Sequence, residues 1–436
     1  MAYDIIIGRN ESDKEKFGDR GLVMIGKGYV KMGNYTSLSN KIWMDIARSH
    51  VILVAGKRGS GKSYTLGAIA EELSNLPQEA AKNIAPIIFD TMGIFWTMKY
   101  KNEKDKPLLE EWDLETKNLP VKIFVPFGKE QDYREKSIPF DNTFALKPSE
   151  LEAEDWITIF NLEMTSLTGV LLSRVITKLR EKKSSFTITD IQATIQSDRE
   201  SNKDTKEIVS ALFSAATTWG VFSTTKEGTE ISDLANAGVT TVLDVSVYSS
   251  VGAFNVRALV ISLISKKLFN TRMDARKKEE LEALQHGQDY LSYKTTRKEP
   301  LVWIFIDEAH EFLPRDSKTP ATDALVQILR EGRQPGISLV LATQQPGQIH
   351  KDVMTQSDII ISHRLTAQPD IEALNQIMQT YLLANIKQQI DDLPQDKGAA
   401  IILDDNSERI YPVRIRPRFT WHGGEAPTAV KADIKF

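Results

Sequence analysis

The stretch VILVAGKRGSGKSYTLGAIAEEL, residues 51–73, decides the fold because it holds a phosphate-binding loop between two regular elements. VILVA is a short, wholly apolar run, which is typical of a buried parallel strand. The segment from Gly56 to Ser63 matches the spacing G-x-x-x-x-G-K-[ST], and a helical pattern follows it. Kinases, switches, transporters and nucleic-acid motors share this loop, so the rest of the chain must distinguish between them.

Each residue type in this loop has a chemical reason. Glycines allow the backbone to turn successive N–H groups inward as an anion nest, and the helix that follows directs its positive dipole end at the phosphates. We predict that Lys62 reaches the β- and γ-phosphate oxygens and that the Ser63 hydroxyl is a ligand of Mg²⁺. ATP and Mg²⁺ are the predicted cofactors. The predicted nucleotide-binding residues are Gly56, Lys57, Arg58, Gly59, Ser60, Gly61, Lys62, Ser63 and Tyr64.

Composition limits the classes of protein. The 436 residues, 41% hydrophobic and 26% charged, are ordinary for one large or two smaller globular domains. We find no apolar run of membrane-spanning length and no signal-peptide pattern, and the chain has no cysteine. These features predict a cytoplasmic protein without a membrane partner. The net charge of −4 argues weakly against nucleic acid, although a ring can carry basic residues on its inner surface.

The order of elements predicts an α/β fold with a mostly parallel sheet and helices on both faces, as in a RecA-like core. We predict strands at 51–55, 85–90, 121–127, 239–246, 301–307, 337–343, 358–364 and 398–405. The predicted domains are a short β-rich element at 1–48 and an ATPase domain at 49–436, which has a helical insertion at about 145–235 and a C-terminal segment at about 408–436. After a helix at 255–269, we expect the charged tract 272–299 to be a solvated helix end and loop; the alternative is a loop that faces nucleic acid.

The segment LVWIFIDEAHEF is an apolar strand that ends in two acids. Asp307 is predicted to serve the Mg²⁺ shell, and Glu308 to orient and polarise the attacking water. A glutamate directly after this aspartate is typical of ATPases with an extra strand beside the phosphate-loop strand, and it separates them from GTPase switches and small-molecule kinases. We expect no metal role for His310, since no second histidine lies nearby in the sequence.

The segment ILREGRQPGISLVLATQQPGQI places two arginines before a strand and a glutamine after it. Gln344 is predicted to sense the γ-phosphate and to help position water. Arg330 and Arg333 are candidates to complete the active site of a neighbouring subunit by stabilising charge in the transition state. The alternative is that both arginines pair with surface carboxylates or cap their helix.

The combination of GKRGSGKSY, DTMG at 90–93, WIFIDEAHEFLP, LREGRQPGISLVLATQQPGQI and YPVRIRPRFTWHGG resembles the HerA family of ATPases, relatives of the FtsK DNA pumps and of conjugation ATPases. The resemblance covers the chain from about Arg48 to Gly424. It implies a RecA-like core, a homohexameric ring and ATP-driven movement of double-stranded DNA through the centre. It also implies an active site at each subunit interface, with Arg333 as the first choice for the arginine that reaches the adjacent subunit and Arg330 as the second.

The resemblance further implies that the C-terminal segment lies across a neighbouring subunit. Arg414, Arg416 and Arg418 alternate, so an extended segment would place them on one face; the alternative is solvated charges on an edge strand. Only about 50 residues precede the loop strand, fewer than the N-terminal barrel of HerA proteins, which supports docking of a nuclease such as NurA. We therefore expect a NurA-like nuclease or another effector, including those of antiphage systems, as partner.

Three functions remain open at this stage. The first is a DNA translocase that acts with a nuclease or defence effector, for which Lys99, Lys101 and Lys104 are candidate DNA contacts. The second is an ATP-dependent ring scaffold that assembles and activates an effector without essential DNA movement. The third is a peptide or protein pump, which is disfavoured because the sequence has no membrane segment.

Overall fold

The computed structural model describes residues 3–32, 35–249, 254–294, 296–378, 390, 393–425 and 429. The strands are β1 (Ile5–Ile7), β2 (Leu22–Met32), β3 (Tyr35–Asp45), β4 (Val51–Ala55), β5 (Ile84–Asp90), β6 (Val121–Pro126), β7 (Asn142–Phe144), β8 (Thr240–Asp244), β9 (Leu301–Ile306), β10 (Ile337–Thr343), β11 (Ile359–Ser362), β12 (Ala399–Asp404) and β13 (Arg409–Ile415).

The helices are α1 (Glu11–Phe17), α2 (Lys62–Ser74), α3 (Gln78–Ala81), α4 (Lys106–Glu111), α5 (Glu130–Glu135), α6 (Ala153–Ile159), α7 (Leu167–Lys182), α8 (Ile188–Ser197), α9 (Lys203–Thr218), α10 (Ile231–Leu234), α11 (Phe254–His286), α12 (Tyr290–Tyr293), α13 (Thr322–Glu331), α14 (Lys351–Gln356) and α15 (Gln368–Met378). In the described part of the chain, no helix is both long enough and apolar enough to cross a membrane.

One mixed sheet joins all the strands, in the order β1-β3-β2-β13-β12-β11-β4-β10-β9-β5-β8-β6-β7. The strands from β11 to β7 are parallel, and antiparallel pairs connect β11, β12, β13, β2 and β3. The predicted α/β fold with a mostly parallel sheet is confirmed. Strand β10 lies between β4 and β9 and is the extra strand that the glutamate after Asp307 indicated.

The central strands are apolar on both faces because both faces are covered. Leu53 and Ala55 of β4 pack in one hydrophobic cluster, whereas Ile52 and Val54, which point the other way, pack in a second cluster. Every residue of β5 and β10 is buried. Burial on two faces explains why these strands read as continuous apolar runs that the sequence locates to within two residues at each end.

The first strands of the chain extend the central sheet. Strands β2 and β3 pair antiparallel, and β2 also pairs with β13, where Val413 lies opposite Gly28. At the other edge, helices α6 to α10 follow β7 and pack around an aromatic cluster in which the Trp156 and Phe213 ring centres are 4.8 Å apart. These helices occupy the region of the predicted insertion at about 145–235.

The prediction of a solvated helix end and loop fits most of the charged tract 272–299 but was wrong for two of its residues. Helix α11 continues to His286, and Arg272 and Glu279 on it are buried rather than solvated. Arg272 donates to the Pro335 carbonyl at 2.9 Å and to the Glu279 carboxylate at 3.3 Å. Glu279 lies two turns along the same helix, whereas Pro335 comes from a distant segment that a local charge count could not reveal.

The alternating arginines near the C-terminus also differ from the prediction. Strand β13 ends at Ile415, and only Arg414 of the three is partly exposed. Arg416 and Arg418 are fully buried, and both bind Glu71 of helix α2 in the same chain. The two arginines are therefore not solvated charges on an edge strand, because the buried Glu71 carboxylate compensates their charge.

Candidate functional site

The loop between β4 and α2 has the backbone shape that anion binding needs. Gly59 and Gly61 have φ angles of 75° and 111°, in the left-handed region that favours glycine. Their N–H groups make no hydrogen bond with the described part of the chain. Helix α2 begins directly afterwards at Lys62, and the N–H groups of its first turn add to the same donor set.

His363, which the sequence analysis did not identify, packs against this loop. A side chain at Gly56 would bring a Cβ within 2.8 Å of the His363 Cβ. His363 is fully buried, and its Nδ1 donates to the Ala399 carbonyl at 3.0 Å while its Nε2 accepts from the Thr65 hydroxyl at 2.8 Å. Burial lowers the pKa of His363 to about 4, so the ring is neutral and makes both bonds. Its sequence signal is a polar residue at the end of the apolar strand β11.

Lys62 lies folded over the loop and is 5% exposed. Its Nζ donates to the Lys57 carbonyl at 3.3 Å, a weak bond that a phosphate oxygen can replace. Burial lowers the pKa of Lys62, and the carboxylates of Glu308 and Asp307 act in the opposite direction. The side chains of Lys57 and Arg58 point outward and are exposed, so these two residues offer the site their backbone.

Ser63 and Asp307 meet although they are 244 residues apart in sequence. The Ser63 hydroxyl donates to Asp307 Oδ2 at 2.5 Å, since α2 begins and β9 ends at the same edge of the sheet. One hydroxyl and one carboxylate, completed by waters and phosphate oxygens, are the donor set that Mg²⁺ uses in phosphate-loop enzymes. Among the described residues, no group of three or more His, Cys, Asp or Glu side chains is arranged to hold a metal ion.

Glu308 lies in a strained backbone conformation beside Ser63 and Asp307, the predicted Mg²⁺ ligands. Its φ and ψ of 52° and 43° are in the left-handed region, which is uncommon for a non-glycine residue and is concentrated at functional sites. Its Oε1 accepts from the Gln344 amide, while its Oε2 is buried and makes no hydrogen bond with the described residues. Burial raises the pKa of Glu308, and the negative charge of Asp307 raises it further. A buried carboxylate of raised pKa is suited to accept a proton.

The residues around Glu308 form one polar group. Gln344 follows β10, and Thr343 at the end of that strand shares a 3.2 Å hydrogen bond with His310 Nδ1. Burial lowers the pKa of His310, whose Nδ1 lies 3.6 Å from Glu308 Oε2. The structure therefore brings together the predicted residues Lys62, Ser63, Asp307, Glu308 and Gln344, and it adds His310 as a neutral neighbour.

Arg330 and Arg333 lie at the end of the sheet where strand β10 begins, opposite the end that carries the phosphate loop. Arg330 lies in the last turn of α13, and Arg333 follows the helix before β10 begins. The seven residues of β10 separate this end of the strand from the phosphate loop by about 20 Å. Arg330 Nε donates to Asp352 Oδ2 at 2.6 Å, whereas Arg333 is exposed and makes no hydrogen bond or ion pair with the described residues. Neither arginine contacts the loop of its own chain.

Two further sets of predicted residues have partners within the chain. The Tyr64 hydroxyl accepts from the backbone N–H of Arg418 at 2.8 Å, so this oxygen is already bonded. Of the candidate DNA contacts, Lys99 binds Asp141 at 2.5 Å and Lys104 binds Glu425, while Lys101 is exposed.

Two known protein families match long segments of this chain. Residues 30–268 match the family described as "Helicase HerA, central domain", and residues 251–368 match the family described as "Zonular occludens toxin (Zot)". The DNA double-strand break repair helicase HerA of Pyrococcus furiosus is 26% identical over 181 residues, 38% of this chain and 31% of the relative. The probable DNA double-strand break repair helicase HerA of Methanocaldococcus jannaschii is 36% identical over 78 residues, 18% of this chain and 15% of the relative.

Among solved structures, VirB4 of Thermoanaerobacter pseudethanolicus has the same fold. It superposes with a TM-score of 0.56 at 13% identity, over 92% of this chain and 97% of that chain. The chain spans about a third or less of the length of the curated relatives that it matches. The likeness to the HerA relatives is therefore to a part of each protein, and the likeness to VirB4 is one of fold.

Proposed function

Because the chain belongs to the family of the HerA helicase central domain, we propose that it hydrolyses ATP and uses the free energy to move double-stranded DNA. One observation carries this proposal. Ser63, the adjacent pair Asp307 and Glu308, and Gln344 come from three separate segments and converge beside the phosphate loop, where strands β9 and β10 end. This is the set of groups that phosphoryl transfer to water requires.

Each group has a defined task in hydrolysis. The backbone of the loop and Lys62 bind the phosphates, and Ser63 and Asp307 would hold Mg²⁺, which would supply positive charge to the phosphate oxygens. Glu308 accepts the proton of the attacking water through the carboxylate oxygen that has no hydrogen bond within the described chain. Gln344 holds the other oxygen of Glu308 and so fixes the direction in which the base points.

The position of Arg333 supports a site completed by a second copy of the chain. An exposed arginine about 20 Å from its own loop cannot stabilise charge there, but it can do so in a neighbour packed against that edge. We propose a homohexameric ring in the cytoplasm in which Arg333 serves the adjacent subunit. Arg330 is second, because Asp352 already binds it.

The direct test is a triplex-displacement assay on a linear duplex. The motor displaces the third strand only with ATP, and a Glu308→Gln variant displaces none, although it binds the same DNA. Displacement that is independent of ATP, or absent although DNA binds and ATP is hydrolysed, contradicts DNA movement.

A second function, a ring scaffold that activates a NurA-like nuclease or a defence effector, has one observation in its favour. Lys99 and Lys104 already have acidic partners, which reduces the positive charge available to DNA. The variant Glu308→Gln separates the two functions. A scaffold still activates its effector when ATP binds without hydrolysis, whereas a motor does not.

A further inference from the structure

Glu71, in the middle of helix α2, is a carboxylate that the proposed mechanism does not use. It is fully buried and accepts from both arginines of the C-terminal segment, with Arg416 Nη1 at 3.0 Å and Arg418 Nε at 2.9 Å. It also accepts from the backbone N–H of Phe419 at 2.9 Å and from the N–H and hydroxyl of Thr420. We call residues 416–423 the tail strap.

The tail strap covers one face of α2 from its first turn onward. The Arg418 backbone N–H donates to the Tyr64 hydroxyl, and Arg416 Nη2 donates to the Ala68 carbonyl at 2.8 Å. At Gly67 a Cβ would lie only 2.4 Å from Arg418 Nη1, so the absence of a side chain there leaves room for this guanidinium. Residues 64, 67, 68 and 71 recur at helical spacing, and Tyr64 directly follows the predicted Mg²⁺ ligand Ser63.

The tail strap also connects α2 to the segment that follows β5, at the end of the strands where the phosphate loop lies. The Trp421 N–H donates to the Tyr100 carbonyl at 2.8 Å, and the Thr97 hydroxyl donates to the Trp421 carbonyl at 3.0 Å. Thr97 belongs to a short 3₁₀ turn, Phe95–Lys99, which follows β5. The phosphate-loop helix is therefore connected through the strap to the neighbouring strand end.

Charge burial of this kind is a poor way to gain stability, since a well-packed apolar cluster of the same volume is often as stable. The buried Glu71 carboxylate instead fixes the orientation of helix α2, because five hydrogen bonds to one carboxylate allow few orientations of the helix. Burial alone would raise the pKa of Glu71, but Arg418, Arg416 and the Thr420 hydroxyl hold it below its usual value. The carboxylate is therefore ionised and keeps all five bonds.

We propose that Glu71 and the tail strap are positioning residues for nucleotide binding: they set the rotation of α2 and so the placement of Lys62 and Ser63 against the ends of β9 and β10. The inference rests on the proposed ATP hydrolysis and deepens it. It makes the affinity of the loop for nucleotide depend on a segment about 350 residues away in sequence.

The chain contains a matched control for this proposal. Glu279 is also a buried carboxylate between two arginines, Arg272 and Arg297, but it lies near Pro335 at the opposite edge of the sheet. Glu71→Gln and Glu279→Gln therefore remove the same charge from similar surroundings. Only the first replacement touches the phosphate-loop helix.

The experiment measures the Kd of the full-length protein for a fluorescently labelled ATP, the KM and kcat of hydrolysis, and the thermal midpoint of each variant. We expect Glu71→Gln to raise Kd and KM about tenfold with a smaller change in kcat. Glu279→Gln should lower the thermal midpoint similarly and leave Kd within about twofold of the wild type. Thr420→Val, which removes one hydroxyl from a fully buried site, and Gly67→Ala, which displaces Arg418 without a change of charge, provide milder variants that should both raise Kd.

The outcomes separate this inference from the proposed function. A wild-type protein that binds no labelled ATP overturns the proposed function and this inference with it. A wild-type protein that binds labelled ATP, with Glu71→Gln, Thr420→Val and Gly67→Ala variants that fold and bind it equally well, overturns the positioning role and leaves the proposed function intact. A Glu279→Gln variant whose Kd for labelled ATP rises as much as that of Glu71→Gln also overturns the positioning role, because the effect would then be a general loss of stability.

Discussion

The amide of Gln344 donates to the carboxylate of Glu308 between the ends of two neighbouring strands, β10 and β9. Thirty-six residues separate the two side chains in the sequence, and the parallel register of the strands brings them together. The contact joins a residue predicted to sense the γ-phosphate with one predicted to activate water. The orientation of Glu308, the proposed base, therefore depends on the residue that follows β10.

The first prediction concerns this contact. Gln344→Ala should lower kcat about 10- to 100-fold with little change in ATP affinity, because Glu308 loses the bond that orients it. Glu308→Gln should lower kcat more, by about 10²- to 10⁴-fold, because the base itself is lost. Steady-state phosphate release and ATP binding, measured on the same preparations, check both values. A Gln344→Ala variant with wild-type kcat would show that the contact has no part in hydrolysis.

The second prediction concerns Lys62. Lys62→Ala should reduce hydrolysis at least about a hundredfold, because the phosphates and the transition state lose their main positive partner in the loop. Lys203→Ala is a suitable control, since this lysine is exposed on α9 in the helical region beyond β7. Phosphate release measures both variants, and retained turnover in Lys62→Ala contradicts the assignment of the loop.

The third prediction concerns the edge of the sheet that carries Arg333. Arg333→Ala should lower kcat about 10³- to 10⁵-fold and preserve ATP binding. A mixture of Arg333→Ala and Glu308→Gln subunits should regain turnover, because some interfaces then combine an intact loop with an intact arginine. A mixture of Lys62→Ala and Glu308→Gln subunits is the control that cannot recover, since both defects lie on the same side of the interface. No recovery in the first mixture argues against a role for Arg333 in the adjacent subunit.

The fourth prediction concerns the pH dependence of stability. His50 lies directly before β4, with Nδ1 2.6 Å from Asp358 Oδ2 and Nε2 3.2 Å from Asp45 Oδ2. Burial alone would lower its pKa, but the two carboxylates raise the pKa of His50 to about 10. Because the pKa is raised on folding, the stabilisation is complete below the unfolded value of about 6.5 and is lost as the pH rises through about 10.

Denaturant titrations of the wild type and His50→Gln at several pH values measure this effect. The difference between their free energies of unfolding should be largest near pH 6 and should shrink between pH 7 and pH 10. A difference that does not change over this range would show that His50 is not charged in the folded protein.

The sequence predicts well what depends on local pattern. Buried parallel strands read as apolar runs, and the polar residues at their ends, such as Asp307 and Gln344, identify the edge that carries the site. The loop glycines follow from their spacing, because only certain residues allow the required backbone angles. The edge position of Arg333 also follows, once the strand after it is located.

The local sequence pattern does not show interactions between residues that are far apart in the sequence. Arg416 and Arg418 look like solvated charges, since nothing near them in the sequence indicates that Glu71 neutralises them. His363 ends an apolar strand, but its contact with the phosphate loop depends on the pairing of β11 with β4. The burial of Arg272 and Glu279 on α11 is hidden in the same way, because Arg272 also binds the Pro335 carbonyl and Glu279 also binds Arg297, both outside the helix.

The measurement that tests the central claim most directly is ATP turnover by the wild type and by Glu308→Gln, each with and without linear double-stranded DNA and with Mg²⁺ present. We predict that the wild type hydrolyses ATP, that the duplex increases its turnover, and that Glu308→Gln binds ATP and DNA but hydrolyses at a rate lower by about 10²-fold or more. Turnover that is unchanged by DNA, or that is equal in the two proteins, would contradict an ATP-driven DNA motor built on this site.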